Sequence, residues 1–215
     1  MGVDMWYRTG SDKPDWAAAA RYLSKVDPKM KQIIKKVGPC TLAPRKDYFV
    51  VLCLSIFNQQ ISMAAAASLF KKFRHQFPRK TPTPKLTLKL MKREEEFVRS
   101  LGISRQKKAY LIDLSQHFLD NKIPVRKLDR MSDEEIVEAL TAVHGIGRWT
   151  AEMFLMFVLN RPDVFPIDDL GLQAAVHRTY GLPERPKPKV LLPLGEPWRP
   201  WRTVATWYLW RSGEG

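Results

Sequence analysis

The sequence predicts an all-α fold of two helical lobes. Apolar residues recur at i, i+3, i+4 and i+7 through most of the chain, whereas the strict alternation of a half-buried strand is nearly absent. Helix-start chemistry sits where the stripes begin, above all at Ser132-Asp-Glu-Glu135, a capping-box pattern with further acids in the first turn. With 215 residues and 45% hydrophobic content, the chain is long enough to bury a sizeable core. The lobes are expected at about 40–130 and at about 1–39 plus 131–215, within the usual size of compact units.

The elements follow in order. Asp15 to Val26 reads as a first helix and Pro28 to Val37 as a second, stopped by Gly38-Pro39. Tyr48 to Phe57 is apolar almost all round and is expected as a helix buried within a lobe. It ends at Asn58-Gln59-Gln60, before an alanine-rich helix from Ser62 to His75. That polar triplet reads as helix caps or as a group kept for a ligand. Pro78 to Pro84 holds three prolines and is expected as an exposed connection, followed by a helix from Arg93 to Leu101. Ser104 is the expected N-cap of a helix Arg105 to Leu119. Its first turn carries Arg105, Lys107 and Lys108, unfavourable against the helix dipole unless an anion lies nearby; a phosphate contact and a solvated basic face both fit.

From Ser132 the stripe Ile136, Ala139, Leu140, Val143 runs until His144-Gly145-Ile146-Gly147-Arg148 breaks it, and Ala151, Phe154, Leu155 and Val158 resume the spacing. This reads as helix, hairpin, helix. Arg161 to Pro166 is a loop, Asp168-Asp169 open a helix to Tyr180, and Leu182 to Pro200 is a proline-rich connection. The last helix, Trp201 to Trp210, holds Trp201, Trp207, Tyr208 and Trp210, so part of that aromatic surface is expected to face a ligand.

Lys and Arg number 36 against 22 Asp and Glu, a formal charge of +14 that points to a polyanionic partner. Neither a basic amphipathic helix nor a lipidation signal suggests a membrane, and Met1 to Gly10 lacks the apolar core of a signal peptide, so an intracellular protein is expected. Cys40 and Cys53 are too few for a disulfide framework or a Cys-only metal site and read as core thiols. His75, His117, His144 and His177 lack metal-type spacing, so no cofactor or catalytic metal is expected.

In the hairpin, Gly145 and Gly147 allow a tight turn with backbone N–H groups facing outward, Ile146 anchors it in the core, and Arg148 adds positive charge, together suiting a phosphate. Carbonyls near His144 and Ile146 are candidate ligands for a monovalent cation. A bare Gly-x-Gly also serves as a plain structural turn.

Val143-His-Gly-Ile-Gly-Arg-Trp-Thr-Ala151, followed by Val164-Phe-Pro-Ile-Asp-Asp-Leu170, resembles the helix-hairpin-helix and Asp-bearing loop of the DNA glycosylase superfamily. Gly-Ile-Gly-Arg-Trp-Thr-Ala is similar to the 3-methyladenine DNA glycosylase II, or AlkA-type, branch. Ile56-Phe-Asn-Gln-Gln-Ile-Ser62, Ser104-Arg-Gln-Lys-Lys-Ala109 and Trp198 to Trp210 extend the likeness over nearly the whole chain. The resemblance implies an active-site cleft between the lobes, with Asp169 as the catalytic carboxylate and Asp168 as its neighbour; one of the pair also suits a helix cap.

It further implies an aromatic base pocket at Trp149 and Trp210, with Met153 and Leu170 where the bacterial type places tyrosines, although Trp at helical spacing is also core material. Gln60, with Gln59 beside it, falls at the wedge that fills the duplex after a base is flipped. Gly145, Ile146, Gly147, Arg148, Thr150, Arg105 and Lys107 fall at DNA-contacting positions. Bifunctional relatives carry a lysine where this chain has Trp149, so hydrolysis alone is expected. The expectation is a monomeric enzyme excising alkylated purines such as 3-methyladenine and 7-methylguanine from double-stranded DNA. The chain begins at the helical part, as the short members of the branch do. The competing readings are a glycosylase for another lesion, a non-enzymatic hairpin module clamping DNA, and general polyanion binding.

Overall fold

The structure, a computed structural model, describes residues 14–213, so the Met1 to Gly10 stretch lies outside them. Among the described residues all regular structure is helical, and no helix is long and apolar enough to cross a membrane. The chain divides into two compact units, one formed by Met1–Pro44 with Leu155–Gly215 and one by Arg45–Phe154.

The described part of the first unit contains α1 (Trp16–Val26) and α2 (Pro28–Val37). Asp15 caps α1 through a bond from the Ala18 amide. Asp27 does more: its Oδ1 accepts the Lys29 and Met30 amides at the start of α2, while its Oδ2 accepts the Tyr180 hydroxyl at 2.5 Å and the Trp198 indole at 2.9 Å. One carboxylate thereby caps a helix and ties it to the C-terminal segments.

The second unit contains α3 (Tyr48–Asn58), α4 (Met63–Arg74), α5 (Pro84–Met91), α6 (Glu95–Ser100), α7 (Arg105–Leu119), α8 (Asp133–Thr141) and α9 (Arg148–Phe154). As its composition predicts, α3 is central, with Leu52, Cys53, Ile56 and Phe57 buried. Phe57 packs on Phe70 and Phe73 of α4 with ring centroids 5.4 and 5.1 Å apart. Ser62 and Ser104 cap α4 and α7, and the capping box of Ser132 and Glu135 opens α8, each as expected. After α9 the chain continues as one π-helical stretch, Leu155–Leu159, and returns to the first unit with α10 (Leu170–Tyr180), α11 (Pro188–Gly195) and α12 (Arg202–Arg211).

Three expectations are corrected. Pro84 is not the end of an exposed connection but the first residue of α5, capped by Thr83, since proline gives up nothing at a position whose N–H has no helical partner. Pro188 likewise starts α11 within the supposed connection Leu182 to Pro200. Of the aromatics of α12, Trp201, Trp207 and Tyr208 are buried core, leaving Trp210 half-buried. Residues 131–154, expected with the second lobe, group with Arg45–Phe154 because α7 and α3 hold the hairpin from below, as detailed next.

Cys53 is fully buried and Cys40 half-buried; burial raises both thiols, that of Cys40 to about 11. A raised pKa leaves only about one Cys40 in a thousand as thiolate at pH 8, and the thiolate is the reactive form. A colorimetric thiol reagent at pH 8 should therefore label the native protein far more slowly than a small free thiol and should titrate both cysteines at once in denaturant; rapid native labelling would contradict this burial.

Candidate functional site

In the first unit the site is built on the first turn of α10. Asp169, in extended backbone, is its N-cap: Oδ1 accepts the Leu172 amide at 2.5 Å and the Trp210 indole Nε1–H at 3.0 Å. Gly171 makes this possible, because a Cβ there would stand 3.0 Å from the same Oδ1 and 3.3 Å from the indole nitrogen. The two acids left undistinguished by sequence now differ: Asp168 is exposed, whereas Asp169 is half-buried and doubly bonded. Capping and chemistry fall on one residue.

The loop that delivers Asp169 is braced. Arg202 at the start of α12 binds Asp163 through Nε at 2.7 Å and Arg199 binds it at 2.6 Å. The Thr203 hydroxyl donates to the Arg161 carbonyl and accepts the Val164 amide. Gln173 donates from α10 to the Ile167 carbonyl at 2.9 Å. Trp210 is stacked on Phe157, centroids 5.8 Å apart with planes inclined by 20°. Phe157 is a residue that sequence reading missed; it belongs to the π-helical stretch, whose extra residue per turn alters which side chains share a face, a signal that apolar periodicity does not carry. Leu170 is exposed beside Asp169.

In the second unit the hairpin is clamped from three sides. Asp113 of α7 accepts the His144 amide at 2.7 Å, Gln59 donates from Nε2 to the Gly145 carbonyl at 2.6 Å, and the Tyr110 ring lies where a Gly145 side chain would be. Gly145 has φ +84°, a conformation glycine adopts without cost. Ile146 is 4% exposed and anchors the turn, as expected. Gly147, Arg148 and Trp149 are exposed, and Thr150 and Met153 are half-buried.

The cations named from sequence have partners inside the protein. Arg148 grips Glu134 with two bonds of 3.0 Å and reaches Glu152 at 3.3 Å. Arg105 binds Glu95 at 2.7 Å, which settles its place in the first turn of α7 without a phosphate. Lys107 donates to the Phe57 carbonyl at 2.8 Å, and its partial burial lowers its pKa. It thus supports the end of α3 from which Gln59 and Gln60 emerge. Gln60 is exposed and holds φ 61°, a strained conformation for a residue with a side chain, of the kind that collects at functional sites. Among the described residues no group of three His, Cys, Asp or Glu is placed to hold a metal ion.

The description HhH-GPD superfamily base excision DNA repair protein matches residues 53–200. The chain is 34% identical over 206 residues to the alkylbase DNA glycosidase-like protein mag2 of Schizosaccharomyces pombe, covering 94% of this chain and 95% of that one. It is also 34% identical over 202 residues to DNA-3-methyladenine glycosylase 1 of the same yeast, covering 90% and 86%. The fold superposes on the S. pombe 3-methyladenine DNA glycosylase Mag1 in complex with abasic DNA with a TM-score of 0.81 at 32% identity, covering 92% and 97% of the two chains. A DNA-3-methyladenine glycosidase of Bacillus halodurans gives 0.80 at 31% identity, covering 92% and 89%. The chain therefore belongs to the HhH-GPD superfamily of base excision DNA repair proteins.

Proposed function

We propose that this chain is a monofunctional DNA glycosylase that hydrolytically excises alkylated purines, 3-methyladenine and 7-methylguanine among them, from duplex DNA in base excision repair. Relatives of this similarity are named 3-methyladenine DNA glycosylases, and one of them was solved on abasic DNA. The observation that carries the residue assignment is the fixed carboxylate of Asp169, bonded to the first turn of α10 and to an aromatic side chain that is itself stacked.

Breaking a glycosidic bond develops positive charge on the sugar, and a carboxylate oriented before the reaction stabilises that charge without reorganising. Trp210, Phe157 and the exposed Trp149 supply aromatic faces, with Met153 and Leu170 as apolar neighbours of the base. A purine made cationic by alkylation gains about 0.5–2 kcal/mol from a good ring contact and is already a good leaving group. Gln60 fills the duplex where the base has left, with Gln59 beside it. Gly145, Ile146 and Gly147 approach the DNA backbone, with Arg148, Thr150, Arg105 and Lys107 around them. Since Gln59 takes the Gly145 carbonyl, a monovalent cation at the hairpin falls to the carbonyls near His144 and Ile146. The enzyme acts as a monomer and is associated with DNA.

The test is base release from methylated duplex DNA, with the freed bases identified by chromatography. Release of 3-methyladenine or 7-methylguanine is the expected result. No release from methylated DNA, with binding intact, would replace this reading by a hairpin module that only clamps DNA. Borohydride added during the reaction should trap no covalent protein–DNA adduct, because Trp149 offers no amine to attack the sugar; an adduct on the gel would make the enzyme bifunctional.

A further inference from the structure

We infer that the basic face formed by the last turn of α4 and the turn that follows it is a second contact for DNA phosphates, engaging the duplex flank beyond the lesion. The inference rests on the reading above only in taking duplex DNA as the partner. Between Asp47 and Glu94 the sequence holds nine Lys and Arg and no Asp or Glu. Five of these, Lys71, Lys72, Arg74, Arg79 and Lys80, are exposed and form one surface. Arg74 Nε donates to the Lys80 carbonyl at 2.8 Å, and Phe73 meets Phe77 edge-on at 4.8 Å, so the turn is folded back on α4. Arg79 and Lys80 hold φ of 52° and 54°, a costly conformation for two successive residues with side chains.

The contrast with the hairpin is what assigns this face a role. Arg148 and Arg105 are already bound to carboxylates, and Lys107 to a carbonyl. Among the described residues none of the five cations forms an ion pair; the nearest acid whose ionisation Arg74 favours, Asp47, is itself bound to Arg45 at 2.6 Å. Five like charges on one face repel one another, and an approaching polyanion relieves that repulsion.

The surroundings select the polyanion. No large hydrophobic side chain between residues 71 and 93 is exposed, so the face lacks the apolar anchors on which a protein interface or a membrane-inserting helix relies. Phosphate contacts need only cations. The 12 residues of α4 carry the face about 18 Å from the loop bearing Gln59 and Gln60. At about 3.4 Å per base pair, that is roughly five base pairs along the duplex.

The experiment is the salt dependence of binding to an abasic duplex, which is independent of base release and so stands or falls apart from the catalytic reading. Wild type is compared with Lys71→Gln/Lys72→Gln/Arg79→Gln/Lys80→Gln; Arg74 is kept because it holds the turn. A control of equal charge change, Lys29→Gln/Lys31→Gln/Lys35→Gln/Lys36→Gln on α2, reports the effect of net charge alone. On a duplex with 12 base pairs either side of the lesion, the slope of log K against log salt should fall by about 3 in the first variant, at about 0.9 per phosphate. It should change by less than about 1 in the control, on the same rule of one contact per unit slope.

On a hairpin-capped duplex with four base pairs either side, wild type and the first variant should bind alike. An unchanged slope in the first variant, with its melting temperature intact, overturns the proposal and leaves the face to an acidic partner of another class. An equal loss in the control, or a loss that persists on the short duplex, overturns it as well.

Discussion

Asp169→Asn is expected to melt like wild type and to bind damaged duplex, yet to release base at least 100-fold more slowly, the usual scale for losing one preorganised electrostatic stabiliser. The substitution separates two roles that this residue combines. Asn is as good an N-cap as Asp, and its amide oxygen keeps both bonds that Oδ1 accepts, from the Leu172 amide and from the Trp210 indole. What disappears is the negative charge opposite the developing positive charge of the sugar. Asp169→Ala would confuse the two, because losing a cap alone costs about 1 kcal/mol. The measurement is single-turnover base release with protein in excess, alongside thermal melts. Equal release by both proteins would remove Asp169 from the chemistry and leave it a cap; a melting temperature well below wild type would mean that the carboxylate is needed for folding.

How much of this was legible in the sequence depends on how local each cause is. Helix Pro28–Val37, helix Arg105–Leu119 and the capping box at Ser132 are set by residues a few positions apart, and the reading placed all three. The prolines at 84 and 188 misled because proline ends a helix when it falls inside one and starts a helix when it falls at the first position, so composition alone favoured connections. The cations needed partners far along the chain: Lys107 binds a carbonyl 50 positions away, and Arg148 a carboxylate 14 positions away. No local pattern announces such pairs, so these residues read as more available to DNA than the structure leaves them. The aromatics of α12 share one composition but divide into core and site; only the bond from Trp210 to Asp169 and its stacking on Phe157 separate it from Trp207. Asp169 itself was named from its motif, whereas its advantage over Asp168 needed the half-burial and the double bonding.

The two hairpin glycines should respond differently to alanine, although the sequence presents them as a matched pair. Gly145→Ala forces a side chain into φ +84°, worth about 1–2 kcal/mol. It also sets a Cβ 2.3 Å from Tyr110 Cδ2, and overpacking of this kind adds about 1–3 kcal/mol. The Tyr110 ring is poorly placed to yield, since its hydroxyl accepts a bond from Gln106 at 2.7 Å. For a protein of this size a combined loss of about 2–4 kcal/mol lowers the melting temperature by roughly 5–15 °C.

Gly147 has nothing within 4 Å of an added Cβ and no positive φ. Gly147→Ala should therefore melt within about 0.5 kcal/mol of wild type, the range of an unencumbered surface change. If the backbone there meets a phosphate, the added methyl stands in the way of the DNA, and affinity for abasic duplex should fall about tenfold with stability unchanged, one lost charge-assisted contact. Equal affinity of Gly147→Ala and wild type would place the phosphate elsewhere on the hairpin. Loss of stability in both variants would mean that the turn is held more tightly than its three clamps, Asp113, Gln59 and Tyr110, account for.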